Sequence, residues 1–259
     1  MAFDLHHQLQ ERYARTQYTG EGGCCEVPLD GGFLADVVRD GVVYEIQTRA
    51  LYKVRTKIAA VIENWPMVII YPIARKTVIV YCEGEPPVER ARRLSPKHGA
   101  PLDAFAEAVW LAKLLAHPNL SLEIVLVDVE DFRVRRAEEN PSKRRRRRRR
   151  RPRGWTTINR RMTAMHGAIR LDTPGDGVRL LPEDLPRPFT SRLLSEATGL
   201  PRHRAWQITY TLRHIGALTP VRRTKEGVWY TCAGEAAGNH LPEAVVCQLT
   251  TTGGDCDRP

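Results

Sequence analysis

No stretch of this 259-residue sequence is apolar for long enough to cross a membrane, and aromatic residues make up only 7% of it. The opening, MAFDLHHQLQERYAR, lacks the basic-then-apolar layout of a signal peptide. A cytoplasmic protein with no membrane partner is therefore expected. Cysteines are few. Cys24, Cys25, Cys82, Cys232, Cys247 and Cys256 include no CxxC pair and no Cys/His zinc spacing. The neighbours Cys24 and Cys25 point apart and make a poor disulfide, so all six are expected as reduced thiols. Internal repeats are missing too.

What is abundant is positive charge, and it is concentrated. Lys143, Arg144 through Arg151, and Arg153 supply ten cations, which equals the whole excess of 40 basic over 30 acidic residues. Residues 1–136 carry 17 basic and 18 acidic side chains, and residues 155–235 carry 12 and 7. Bulk charge thus places polyanion affinity in the run and behind it. The segment AEENPSKRRRRRRRRPRG repels itself, is bracketed by prolines and has nothing apolar to bury. Four regions follow: an α/β domain over 1–136, a disordered arginine-rich linker over 137–154, a small domain over 155–235, and a flexible tail over 236–259. The linker reads as a solvated spacer or as a flexible polycation that neutralises several phosphates with steep salt dependence. It has no aromatic residue to stack bases, so its contribution would be sequence-blind.

Ahead of the run, helices and strands mix. Leu5, Leu9 and Tyr13 form one helical stripe. FLADVVRDGVVYEIQT reads as two strands around Asp40-Gly41, a strong hairpin signal. ALYKVRTKIAAVIENW is helical and stopped by Pro66; MVIIYPI and KTVIVY are two further strands. AFAEAVWLAKLLAH is another amphipathic helix, and LEIVLVDV is a strand buried on both faces. The expectation is a mixed sheet covered by helices on both sides.

If the hairpin is regular about Asp40-Gly41, Asp36 lies opposite Glu45, with Gln47 two residues on and on the same face. Two carboxylates together repel unless a cation sits between them, and oxygen ligands of this kind suit Mg²⁺ or Mn²⁺. Such a metal lowers the pKa of a bound water and stabilises charge on an attacked phosphorus. The alternative is a solvent-facing acidic pair on an amphipathic hairpin.

Asp36, the turn, Glu45-Ile46-Gln47 and the helix that follows resemble the core motif of the PD-(D/E)XK nuclease superfamily, with its restriction-endonuclease-like fold. The resemblance implies Asp36 and Glu45 as metal ligands and Gln47 in the place usual for lysine, making the catalytic set Asp36, Glu45 and Gln47. Glutamine can orient a water but supplies no positive charge. Lys53 or Lys57, one turn apart on the next helix, or Arg49 would replace that charge; each also reads as a solvated side chain. Glu11, the candidate for a further ligand on the first helix, points away from the apolar stripe, and Asp30 fits a turn better.

FTSRLLSEATGLPRHRAWQITYTLRHIGAL resembles a helix-turn-helix of the winged-helix class. Thr190 caps the first helix, Gly199-Leu200-Pro201 make the turn, and Ala205, Ile208, Leu212 and Ile215 face inward on the second helix. Its outward face carries Arg202, His203, Trp206, Gln207, Tyr210 and Arg213, and VRRTKEGVWYTC is the wing, with Arg222, Arg223 and Lys225. The resemblance implies base-edge reading by the helix and phosphate contact by the wing. The alternative is protein–protein contact, with Trp206 and Tyr210 side by side packing on another domain or forming a dimer interface.

Two functions follow. One is a nucleic-acid-binding, Mg²⁺- or Mn²⁺-dependent endonuclease that hydrolyses phosphodiester bonds, with double-stranded DNA as the expected partner. The other is a non-catalytic DNA-binding protein or transcriptional regulator built on a degenerate nuclease domain.

Overall fold

A computed structural model describes residues 4–15, 23–135 and 154–234, in two compact units that divide after Asp172. All but the last residue of the expected arginine-rich linker, and the whole of the expected tail, lie outside the described residues.

The first unit is built on a seven-stranded mixed sheet. Helix α1 (Leu5–Ala14) opens it, capped by the Asp4 carboxylate, which accepts the His7 N–H at 3.0 Å. Strands β1 (Cys24–Leu29), β2 (Phe33–Arg39) and β3 (Val42–Ile46) form an antiparallel meander. Asp40 and Gly41 both take positive φ, at 52° and 73°, the two-residue turn that matches strand twist. A 3₁₀ turn and helix α2 (Arg55–Val61) then carry the chain to β4 (Met67–Glu83), which runs parallel to β3. MVIIYPI and KTVIVY are thus one strand rather than two, continuous through a bulge beside Arg75.

Strand β5 (Val88–Leu94) folds back on β4, and Pro101–Ala116 crosses to β6 (Leu120–Arg135), again parallel to β4. The crossing segment was expected to be one amphipathic helix. It is a chain of 3₁₀ turns around a single α turn, α3 (Phe105–Ala108). The buried set Ala104, Phe105, Ala108, Leu111 and Ala112 is satisfied by either geometry, so the spacing does not choose between them.

The larger difference is β7 (Trp155–Leu171), expected at the head of a second domain. It pairs antiparallel with β6 along nearly its whole length, from Leu122↔Leu171 to Arg135↔Trp155. The domain boundary therefore falls between Asp172 and Thr173, not at the arginine run. The run is an insertion between two strands of one hairpin, not a connection between domains. Charge density alone resembles an interdomain linker; strand pairing decides otherwise.

One face of the sheet packs Val37, Tyr44, Ile46, Val68, Ile70, Val125, Val127 and Val129 against Leu5, Leu9 and Tyr13 of α1. The residues between them, Val43, Glu45, Met67 and Ile69, are buried as well, so the opposite face is covered too. Leu51, Ile58, Val61 and Ile62 around α2, with the Pro101–Ala116 segment, supply that second layer.

The second unit begins at Thr173. It contains α4 (Pro174–Val178), the short strand β8 (Phe189–Thr190), α5 (Ser191–Thr198), α6 (Arg202–His214), and the hairpin β9 (Leu218–Thr224) and β10 (Gly227–Cys232). β8 adds to β10, completing a three-stranded sheet. Thr190 caps α5 through its hydroxyl, which accepts the Leu193 N–H at 3.3 Å, and Gly199 ends it at φ 68°. Cys82 of the first unit and Cys232 of the second are buried thiols outside any disulfide. Among the described residues, no helix is long and apolar enough to cross a membrane.

Candidate active site and nucleic-acid surfaces

The pairs Val37↔Tyr44, Val38↔Val43 and Arg39↔Val42 set the β2–β3 register, and continuing it carries Asp36 opposite Glu45. There the strands part. The Asp36 carboxylate turns into the fork, where its Oδ2 accepts the Ile46 N–H at 2.7 Å. Its Oδ1 faces His6 Nε2 of α1 at 3.5 Å, and the Asp36 carbonyl accepts from Gln10 Nε2 at 2.9 Å. The splayed strands thus expose a carboxylate between two layers that a regular ladder would keep apart.

Glu45 is 2% exposed. Both of its oxygens are engaged: Oε1 accepts from Gln47 Nε2 at 3.1 Å, and Oε2 takes an ion pair from Lys57 of α2. Lys57 also donates to the Leu34 carbonyl, which ties α2 to the start of β2. Burial pushes the Glu45 carboxyl above its ordinary range and the charge of Asp36 adds to that, against the pull of Lys57 and Gln47. His6 moves upward too, chiefly through its hydrogen bond to Asp36 and against the cost of burial. The result is a half-buried cluster of two carboxylates, an amide, an ammonium and an imidazole. Among the described residues no group of three or more His, Cys, Asp and Glu side chains converges to hold a metal ion.

In the second unit, α6 turns Ala205, Ile208, Thr209, Thr211 and Leu212 inward. Arg202, His203, Trp206 and Arg213 are exposed, and Gln207 and Tyr210 are half-buried. Trp206, Tyr210 and His214 stack down one side of the helix, with ring centroids 5.0 and 4.2 Å apart in turn. Arg223 and Lys225 are exposed on the β9–β10 hairpin. Arg222 is not aimed outward like them: its guanidinium lies 4.6 Å over the Trp229 ring, and its Nε and Nη2 are buried without a hydrogen-bond partner. The flat cation is drawn to the indole face, and that attraction competes with the outward pose expected of a wing residue. A cleft of about 350 Å³ lies where Ser191 and Arg192 of α5, Arg202 of α6, and Lys225 and Glu226 of the hairpin tip meet.

Residues 3–172 match a family model described as a domain of unknown function, DUF8091. The chain belongs to that family. The match ends at the residue where the first unit ends, so it spans β7 as well as the arginine run. An uncharacterized protein of Treponema pallidum (strain Nichols) is 27% identical over 218 residues, covering 83% of this chain and 79% of that one. That relationship extends past the DUF8091 domain into the second unit. No solved structure matches the chain.

Within the DUF8091 domain, the residues expected at the site are brought together: Asp36, Glu45 and Gln47 meet at the fork. Of the three candidate cations, Lys57 reaches it, while Arg49 and Lys53 remain exposed. Glu11 is exposed and pairs with Arg15, and Asp30 sits in a 3₁₀ turn. Sequence reasoning missed His6 and Gln10. Their signal was present, because they stand four apart, each one residue beyond Leu5 and Leu9 of the buried stripe.

Proposed function

We propose that this protein acts on nucleic acid, the DUF8091 domain as a divalent-metal-dependent nuclease and the second unit as a winged-helix DNA reader. The observation that carries the reading is the convergence of Asp36, Glu45, Gln47 and Lys57 at one fork between β2 and β3. The order of elements supports it: a helix, a three-stranded antiparallel meander and a crossover helix into a parallel strand, as the restriction-endonuclease-like fold requires. In the second unit, a helix pair followed by a hairpin with basic side chains supports the winged-helix part.

Mg²⁺ is bound in proteins through one or two carboxylates, with water and substrate phosphate completing the octahedron. Asp36 and Glu45 fit that donor set, and their mutual repulsion is what a cation relieves. When bound, the metal supplies an acidified water and charge neutralisation at phosphorus. Gln47 orients the attacking water through its amide. Lys57 would supply the positive charge that Gln47 lacks and help neutralise the charge that builds up on the phosphoryl oxygens. His6, its pKa raised by Asp36, would serve beside the two carboxylates as a proton carrier.

A second reading, a DNA-binding protein on a retired nuclease fold, draws on one observation. Lys57 and Gln47 already occupy both Glu45 oxygens, which leaves a salt bridge where a ligand would be needed. Incubation with supercoiled, linear and single-stranded DNA, with Mg²⁺, with Mn²⁺ and with neither, separates the two. Metal-dependent cutting by the parent that is lost in Glu45→Ala is the expected result. Salt-sensitive binding with no cutting under any of these conditions sinks the nuclease reading and leaves the second.

A further inference from the structure

The far half of the sheet carries a surface that the proposed active site does not use. Beyond the helices, β5, β4, β6 and β7 continue as a four-stranded ribbon. Register places Ala91, Tyr81, Arg133 and Thr157 in one row across it, and Arg93, Ile79, Asp131 and Arg160 in the next row of the same face. Arg135 pairs with Trp155 at its end.

The two faces of this ribbon differ in charge balance. On one, Arg92 bonds both Glu89 and Glu130, and Arg161 bonds Glu130 and lies over the Phe132 ring, so cations meet nearby carboxylates. On the other, Glu83 at the end of β4 pairs with Arg90, Arg93 bonds the Tyr81 hydroxyl, and Arg133 and Arg160 share one acid, Asp131. It is 1% exposed and sits beneath Arg133 and Arg160, which donate to it at 2.6 to 3.4 Å. One carboxylate cannot neutralise both Arg133 and Arg160, Arg93 is held by a neutral hydroxyl, and each of the three keeps part of its surface in solvent.

Aromatic rings stand among these cations. Tyr81 and Trp155 pack at 62° with centroids 4.5 Å apart, and both are half-buried. Arg93 Nε donates to the Tyr81 hydroxyl at 2.9 Å, fixing the tyrosine ring. A fixed aromatic pair interleaved with surplus guanidiniums on an open sheet has the chemistry of a base-stacking platform. A duplex would meet this face only through phosphates, because its bases are already stacked. A single strand can use both kinds of group.

We propose that this face of the ribbon binds single-stranded nucleic acid, with bases against Trp155 and Tyr81 and phosphates against Arg93, Arg133 and Arg160. The site is independent of the metal-dependent chemistry proposed at Asp36 and Glu45. It holds a few nucleotides, given a patch roughly three strands wide at about 4.8 Å per strand.

The test is fluorescence anisotropy with the full chain in EDTA, so that cutting plays no part. The probes are an oligothymidylate of about 20 nucleotides and a duplex of the same length, since single-strand sites of this type span up to about 16 nucleotides. The arginine run contributes sequence-blind affinity to both, so the ratio of the two affinities is the readout. Trp155→Ala is expected to weaken the single strand about tenfold, the usual size for one lost stacking partner, and to leave the duplex unchanged. Trp155→Leu fills the space without a π face and should fall with alanine, whereas Trp155→Phe should stay near the parent. Arg93→Ala should lower the single-strand salt slope by about one. Unchanged single-strand affinity in Trp155→Leu, or equal losses on both probes, overturns the proposal.

Discussion

At the scale of single residues, the site is governed by one buried carboxylate. Burial and the charge of Asp36 raise the Glu45 pKa, and Lys57 and Gln47 pull against them. Removing the cation while keeping the carboxylate leaves a buried charge without compensation, which costs about 3 kcal/mol in comparable pairs. Lys57→Met is therefore expected to lower unfolding stability by about that amount in urea at pH 7, and to remove any metal-dependent cutting with it. An unaltered midpoint would mean that the ion pair contributes nothing net. His6 gives a second handle at this scale. Its folded-state pKa is raised, so its contact with Asp36 stabilises the fold fully below the ordinary imidazole value near 6.5 and is lost as pH rises through the folded value. Asp36→Asn should bring the His6 titration down, read by NMR of its ring protons, and should remove that pH-dependent part of stability. A histidine that titrates identically in the variant would show that Asp36 does not raise its pKa.

The sequence was most legible at this scale where a turn fixed the geometry. Asp40-Gly41 determines the register, and the register alone pairs Asp36 with Glu45. Lys57 could be nominated but not selected over Lys53 or Arg49, because one helical turn and a half-exposed stem decide which amine arrives. His6 was illegible as a partner of Asp36, since it comes from the opposite layer and no local spacing relates residue 6 to residue 36.

At the scale of elements, β7 explains why charge misleads. Its face alternation is broken by three register shifts against β6, and much of it is exposed, so it lacks the apolar run of β4 or β6. What makes it a strand is the partner. Fourteen pairs join it to β6, ending in Arg135↔Trp155, and that last pair closes the insertion that carries the run of arginines. Because the two anchors are already adjacent, the insertion is not needed for pairing. Replacing residues 137–153 by Asn-Gly should leave Tm within a few degrees, since loop-closure entropy changes only slowly with length. The same excision should remove most of the affinity for duplex DNA and flatten its salt dependence, measured by anisotropy across a salt series. Aggregation or loss of cooperative unfolding would mean that the insertion helps to hold the hairpin.

At the scale of the whole molecule, the position of the boundary has consequences for which fragments fold. A chain cut at residue 136 would end on β6 and strip it of β7, exposing an edge that buries Ile124, Val125, Val127 and Val129. It would also free Gln8 of α1, whose side chain bonds Met162 of β7 in both directions, through its amide nitrogen to the carbonyl and its oxygen to the N–H. A chain cut at 172 keeps all of this. Residues 1–172 expressed alone should therefore unfold cooperatively and retain the activity or binding of the proposed nuclease site, while residues 1–136 should be insoluble or molten. Backbone hydrogen exchange separates the cases: β6 amides should be protected in the longer fragment and exchange freely in the shorter. Equal protection in both would make β7 an accessory strand and return the domain boundary to the arginine run.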